Sequence, residues 1–270
     1  MPMRVADLGE MDGPMLLFGG PYSNLAALEA LIAQARVRGL PPERTICTGD
    51  VVAYCAEPAE CVARIRALGC HVIAGNCERQ LAAGESDCGC GFDEGSACDL
   101  LSAGWYGFAD ARIGSADRDW MRGLPDLAVF RHAGRRHGVV HGGVTDIARF
   151  LWPVSPDDAF AQEFAAFAEI AGPVDAIIAG HCGIPFVRET PWGRWINAGV
   201  IGMPPNDGRP ATRFALLDSG RAEIEELDHD HRAARAAMER AGLTQGYHAA
   251  LCSGYWPSED VLPAVLRASG

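Results

Sequence analysis

Residues 44–77 read RTICTGDVVAYCAEPAECVARIRALGCHVIAGNC, and the places where this stretch breaks decide the fold. Ile46 and Cys47 lie in a short apolar run that ends at Thr48-Gly49-Asp50. Residues 58–69 then carry apolar side chains at helical spacing, and a second apolar run ends at Gly75-Asn76. A short strand, a helix and another short strand, both strands apolar, predict a parallel sheet covered on its two faces. In such sheets ligands bind beyond the carboxyl ends of the strands. Asp50 and Asn76 fall there, each beside a glycine that lets the backbone turn sharply.

The same pattern extends in both directions. Upstream, Met15 to Phe18 reads as a buried strand, followed by Gly19-Gly20-Pro21-Tyr22 and a helix from Asn24 to Arg36 with Leu25, Leu28, Leu31 and Ile32 at helical spacing. Downstream, LAVFRHAGRRHGVVHGG predicts a hairpin with an Arg-rich turn that ends at His141. VDAIIAGHC predicts a buried strand ending at His181, and RWINAGVIG, TRFALLD and AEIEELD complete the strands. Residues from about 81 to 126 interrupt the alternation with Gly, Cys and acidic residues and two helical patches. They read as an insertion packed over the sheet edge. The expected organisation is one domain over residues 14–228 with that insertion, and a helical C-terminal appendage over residues 229–270.

Composition narrows the class. The chain has 270 residues, 49% hydrophobic and 21% charged, an ordinary globular profile with enough length for a large core. A net charge of −12 repels phosphate backbones and argues against nucleic acid as a partner. No apolar stretch approaches a membrane span, and the N-terminal MPMRVADLGEMDG lacks the apolar core of a secretion signal, so a cytoplasmic location is expected. Every basic residue is Arg, which excludes Lys-based Schiff-base chemistry and Lys-based phosphate loops. Of the ten cysteines, Cys47, Cys55, Cys61 and Cys70 sit in apolar or helical contexts and read as buried side chains. Cys88, Cys90 and Cys98 are candidates for a separate metal or redox site, although structural zinc sites more often place two residues between cysteines.

Asp50, Asn76, His141 and His181 together offer one carboxylate, one amide oxygen and two imidazoles, a donor set for a borderline divalent metal. Taken singly, Asp and Asn form turns and caps, and a lone His is commonly a core residue. Four such residues on successive strand ends point to a shared metal site.

The serial order of GGPYSNLAALEAL, CTGDVVAYCAEPAECV, AGNCERQLA, VVHGG, AGHCGIPF and WINAGVIGMPPNDG resembles the calcineurin-like metallophosphoesterases, in particular their compact bacterial and archaeal branch, over roughly residues 14–228. The resemblance implies an α/β fold, a four-layer αββα sandwich of two mixed sheets. It also implies hydrolysis of phosphomonoesters or phosphodiesters with two metal ions. Where that family has Asp-x-His in the first loop, this chain has Gly20-Pro21-Tyr22; where the family ends in Gly-His-x-His, this chain has Gly180-His181-Cys182-Gly183. Three ligands of one metal site are thus replaced, whereas Asp50, Asn76, His141 and His181 match the complete set of the other.

The resemblance therefore implies one divalent ion per chain, Mn, Zn or Fe, with Asp50, Asn76, Cys77 and His141 as the catalytic candidates. Cys77 stands where the family commonly has the His that protonates the leaving oxygen. Tyr22, as a donor to a phosphate oxygen, Arg79, as a phosphate clamp, and Cys182, as a soft ligand, are further candidates. Trp105, Tyr106, Trp120 and Trp152 are candidates to frame a pocket. Two readings stay open: a single-metal phosphoesterase acting on a small phosphorylated molecule, or a non-catalytic relative that binds a metal or a phosphorylated ligand and acts through a partner. Oligomeric state is open as well, with the C-terminal appendage as the candidate contact.

Overall fold

The computed structural model describes residues 2–92 and 95–268. Strand β2 (Met15–Phe18) shows how the chain builds its layers, because all four side chains are buried yet they face different ways. Met15 and Leu17 enter one apolar cluster and Leu16 and Phe18 another, as the two-residue period of a strand requires. The same alternation divides β7 (Ala176–Ala179), whose Ala176 and Ile178 join Met15 and Leu17 while Ile177 and Ala179 turn away. A strand apolar on both sides needs cover on both sides.

Two mixed sheets supply it. One has five strands in the order β11 (Arg221–Leu227), β10 (Thr212–Asp218), β2, β3 (Thr45–Cys47), β4 (His71–Val72). The other has six, in the order β1 (Val5–Glu10), β5 (Leu127–His132), β6 (Arg135–Val139), β7, β9 (Gly193–Asn197), β8 (Phe186–Thr190). Between them lies the cluster that holds Met15, Leu17, Ile46, Phe130, Ile178 and Ile196. Outside the five-stranded sheet lie α1 (Leu25–Val37) and α2 (Pro58–Leu68); outside the six-stranded sheet lies α6 (Asp157–Ala171), through Phe160, Phe164 and Phe167. The result is the four-layer αββα sandwich.

Local chemistry explains the boundaries. Asn24 caps α1, its side chain accepting from the Ala27 amide at 3.1 Å. Pro58 opens α2, and Gly69, at φ 75°, closes it in the left-handed conformation. The hairpin turn between β5 and β6 is Ala133-Gly134, with φ of 49° and 74°, as a primed two-residue turn requires. The arginines expected in that turn instead begin β6.

The strand before Asn76 is shorter than its apolar run, because pairing stops at Val72 while Ile73 and Ala74 continue buried beyond it. Strand β1 carries only a weak alternation, with Ala6 and Leu8 half-buried against the inter-sheet cluster, and it pairs parallel to β5. The insertion contributes α4 (Ala97–Asp110) and α5 (Ser115–Gly123), the latter packed on α3 (Asn76–Ala83). The C-terminal α7 (His231–Arg240) and α8 (Tyr247–Ser253) bury Met238, Ala250 and Leu251 in the same cluster as α1. Among the described residues no helix is long and apolar enough to cross a membrane.

Candidate metal centre

Each site residue leaves a strand end through a strained or glycine-assisted turn. Gly49 takes φ 99° and Asp50 takes φ 53°, a left-handed conformation that Asp tolerates better than most residues. Asn76 is the first residue of α3, directly after Gly75. His141 follows β6 and His181 follows β7, and the backbone amides of Gly180 and His181 both donate to the carbonyl of His141. Gly75 has no room for a side chain: a Cβ there would collide with Asp50 Oδ1 and stand 2.9 Å from His141 Cε1.

The four side chains converge. His141 Nε2 lies 2.9 Å from Asn76 Oδ1, 2.9 Å from His181 Nδ1 and 3.3 Å from Asp50 Oδ2. His141 Nδ1 donates to the carbonyl of Thr48 at 2.6 Å, which fixes the ring and leaves Nε2 for the site. The Asn76 amide is oriented in the same way, its Nδ2 donating to the Cys88 carbonyl at 2.8 Å so that Oδ1 faces inward. A convergence of lone pairs is what a cation requires, and the mixture of carboxylate, amide and imidazole fits a divalent metal. Asp50, His141 and His181 place one ligand atom each within 4.8 Å of one another, the one such grouping of His, Cys, Asp and Glu among the described residues.

Protonation follows from burial and neighbours. For Asp50, burial alone would raise the pKa, but the His141 ring lowers it below the usual carboxylate value. For His141, burial alone would lower it, but the Asp50 carboxylate raises it above 6.5. His181, buried and beside His141, drops to about 3 and stays neutral.

Glu78, not singled out by the sequence reading, lies fully buried behind Asp50. It accepts from the amides of Asp50 at 2.7 Å, Gly75 at 2.9 Å and Val52 at 3.3 Å. Burial and the Asp50 charge push its pKa up to about 7. Its position three residues into a helix that starts with Gly75-Asn76 was the available signal, since Glu there reaches back to the amide that precedes the helix.

The other candidates divide. Tyr22, at φ 52°, lays its ring over Gly20, where a Cβ would strike Tyr22 Cε1, and packs edge-on to Tyr54 with centroids 4.7 Å apart. Burial, then the Asp50 charge, keeps its phenol protonated. The first loop also serves as a brace for the Asp50 loop: Gly20 and Tyr22 amides donate to the carbonyls of Gly49 and Asp50 at 3.1 and 3.2 Å.

Tyr22, Asp50, His181, Cys182 and Gly183 line a partly open cavity of about 50 Å³. The Cys182 thiol there is already engaged, accepting from Asn197 Nδ2 at 3.1 Å and donating to the Ile184 carbonyl at 3.5 Å, and burial lifts its pKa to about 12. Cys77 is not among the cavity-lining residues; it packs in the core, and burial, then Asp50, holds its thiol protonated.

Arg79 departs from the expected phosphate clamp. It pairs with Asp126 at 2.6 Å and donates to the Leu124 carbonyl at 2.9 Å, tying α3 to the end of the insertion. Cys88 and Cys90 are joined by a disulfide and Cys98 is free, so these three form no metal site. Trp105 and Tyr106 are core residues. The aromatic lining comes instead from Tyr54, Phe92, Phe150, Tyr247 and Trp256, two of them from the C-terminal segment.

Two mixed sheets face to face, with Asp, Asn, His and His gathered at their strand ends, define a metallophosphoesterase-type scaffold. The chain belongs to the calcineurin-like phosphoesterase superfamily, whose domain matches residues 23–221. It is 26% identical over 235 residues to an uncharacterized protein of Methanocaldococcus jannaschii, a match spanning 77% of this chain and 85% of the relative. Among solved structures, a hypothetical protein from Pyrococcus horikoshii superposes with a TM-score of 0.72 at 19% identity, covering 90% of this chain and 99% of that one. A metallophosphoesterase from Sphaerobacter thermophilus gives 0.69 at 20% identity, covering 90% and 100%. These two likenesses speak to the fold.

Proposed function

We propose that the protein hydrolyses phosphoric esters of a small phosphorylated molecule at a single divalent ion, Mn, Zn or Fe, held by Asp50, Asn76, His141 and His181. The observation that carries this reading is the convergence of Asn76 Oδ1, Asp50 Oδ2 and His181 Nδ1 on His141 Nε2 within 3.3 Å. When bound, such an ion supplies a Lewis acid that polarises a phosphoryl oxygen and lowers the pKa of a coordinated water.

The protein residues supply position and proton control. Asp50 brings the negative charge, and the Thr48 carbonyl and the Cys88 carbonyl hold His141 and Asn76 in register. Tyr22, kept as a phenol, offers a hydrogen bond to a phosphoryl oxygen in the cavity it lines. Cys77 does not line that cavity; its thiol accepts from Asn76 Nδ2 at 3.5 Å and its amide donates to Asp50 Oδ1 at 3.2 Å, so its part is to hold these two ligands, and solvent is the proposed source of the leaving-group proton.

The test is metal content per chain by elemental mass spectrometry, together with turnover of generic phosphomonoesters and phosphodiesters with Mn, Zn or Fe supplied. About one ion per chain, and turnover abolished in Asp50→Asn, are expected. The Tyr22 ring over Gly20 favours a second reading, a non-catalytic relative that binds a metal or phosphorylated ligand. A bound ion without turnover of any ester would select it.

A further inference from the structure

The cavity beside the metal centre has an unusual charge inventory. Among the described residues that line it, the only ionisable groups besides tyrosine and cysteine are Asp50 and His181, and none is an arginine. The chain has no lysine to reach in from the rim. Three arginines are committed elsewhere: Arg79 to Asp126, Arg149 to Glu163 and Arg213 to Asp207, at 2.6 Å each. A divalent ion balanced by the Asp50 carboxylate leaves one net positive charge, the imidazoles being neutral as metal ligands must be. That is an upper bound, because the Glu78 carboxyl, bonded to the Asp50 amide at 2.7 Å, can only lower it.

The walls are aromatic. Tyr54 contacts Tyr22 and Tyr247 at centroid distances of 4.7 and 4.5 Å, and Phe150 lies against the His181 ring at 4.5 Å and stacks with Phe92 at 6.2 Å. Trp256 and Ser258, both half-buried, complete the wall from the C-terminal segment. The space of about 50 Å³ accepts a phosphoryl group with the start of its ester, and the remainder lies along the aromatic walls toward solvent.

We infer that the site selects phosphodiester monoanions bearing a flat apolar ester group and rejects phosphomonoester dianions and polyphosphates. The inference rests on the single-ion reading above. A net charge of at most one positive unit can balance no more than one negative charge; a second charge would enter a desolvated, apolar-walled site without a partner, which is costly. Aromatic rings in turn favour a flat apolar substituent through offset or edge-on contact.

Isothermal titration of the metal-loaded protein at pH 8 tests this without turnover, using diphenyl phosphate, dimethyl phosphate and phenyl phosphate, the last a dianion at that pH. Diphenyl phosphate is expected to bind at least about tenfold more tightly than either other probe. Phenyl phosphate binding as tightly would overturn the charge argument, and dimethyl phosphate binding as tightly would overturn the aromatic one. Ser258→Arg, at a half-buried rim position, is expected to narrow the gap between diphenyl and phenyl phosphate by about fivefold or more, and an unchanged ratio counts against the inference. Should the binding preference hold while no ester is hydrolysed, the hydrolytic reading fails and this one stands. Hydrolysis with phenyl phosphate as the tighter ligand gives the reverse.

Discussion

His141 Nε2 stands 2.9 Å from Asn76 Oδ1, and the two can bond directly only when a proton occupies Nε2, because Nδ1 of the same ring already donates to the Thr48 carbonyl. A proton and a metal ion at the proposed site would therefore compete for one place. The Asp50 carboxylate strengthens the hold on either, which is why the His141 pKa lies above its ordinary value despite burial.

Metal affinity should accordingly rise with pH. While His141 is protonated, binding an ion must expel that proton, so affinity is expected to climb about tenfold per pH unit and then level off once the pH exceeds the raised His141 pKa. Chelator competition between pH 6 and 8.5 measures this, and a flat profile would exclude His141 as the ligand that exchanges proton for metal.

Acid should destabilise the fold before it protonates most carboxylates. Burial holds His137 and His229 near pKa 4 and His181 near 3. Below about pH 6.5 the unfolded chain takes up protons on these three that the folded chain refuses, so stability falls from pH 6.5 toward 4. Glu78, with its pKa raised to about 7, and Glu57, also raised by burial, act in the opposite direction above pH 4.5, but they are two groups against three. The thermal midpoint of metal-free protein is expected to drop steadily as pH goes from 6.5 to 4. Constancy across that window would mean the histidines are solvated.

Gly75→Ala should damage the site while sparing the fold. Gly75 has φ −87° and ψ 177°, which alanine adopts freely, so backbone strain is absent. The added Cβ meets Asp50 Oδ1, the Asp50 backbone nitrogen at 2.6 Å and His141 Cε1 instead, so the Asp50 loop has to shift. Metal affinity is expected to fall by about 10–100-fold with an unchanged circular dichroism spectrum. Full metal retention would show that the two side chains can move apart at little cost.

The first loop should accept its missing ligands only as a set. Gly20→Asp alone drives a Cβ into the Tyr22 ring and is expected to lower stability by about 1–3 kcal/mol. Adding Tyr22→His removes the phenol ring from that contact. With Gly183→His as well, the family's second ligand set is restored. Elemental analysis of the triple variant is expected to show two ions per chain; one ion would indicate that the loop's left-handed residues, Tyr22 at φ 52° and Gly183 at φ 74°, aim the new ligands elsewhere.

The sequence by itself determined much of the scaffold. Met15–Phe18, Ala176–Ala179 and the runs before Asp50 and Asn76 had to be buried strands, because apolar runs that short, bounded by glycine, leave few alternatives. The order of Asp50, Asn76, His141 and His181 along the chain likewise marked the strand ends whose side chains the fold brings together. Each of these signals is local, written in spacing and residue type.

What only the tertiary structure decided is contact between distant segments. Glu78 became a support for Asp50 because α3 folds its first turn against the Asp50 loop, bringing residues 28 positions apart to 2.7 Å. Arg79 was lost to Asp126, 47 positions away. The aromatic wall came from Tyr54, Phe150, Tyr247 and Trp256 rather than from Trp105 or Tyr106, since an aromatic residue looks the same in sequence whether it faces a core or a cavity. Strand β1 formed because β5 offered a free edge; its Ala6 and Leu8 face the inter-sheet cluster, but two half-buried apolar residues in six are too weak an alternation to announce a strand. Periodicity reports which face of an element is apolar; which neighbour meets that face is settled by packing the whole chain at once.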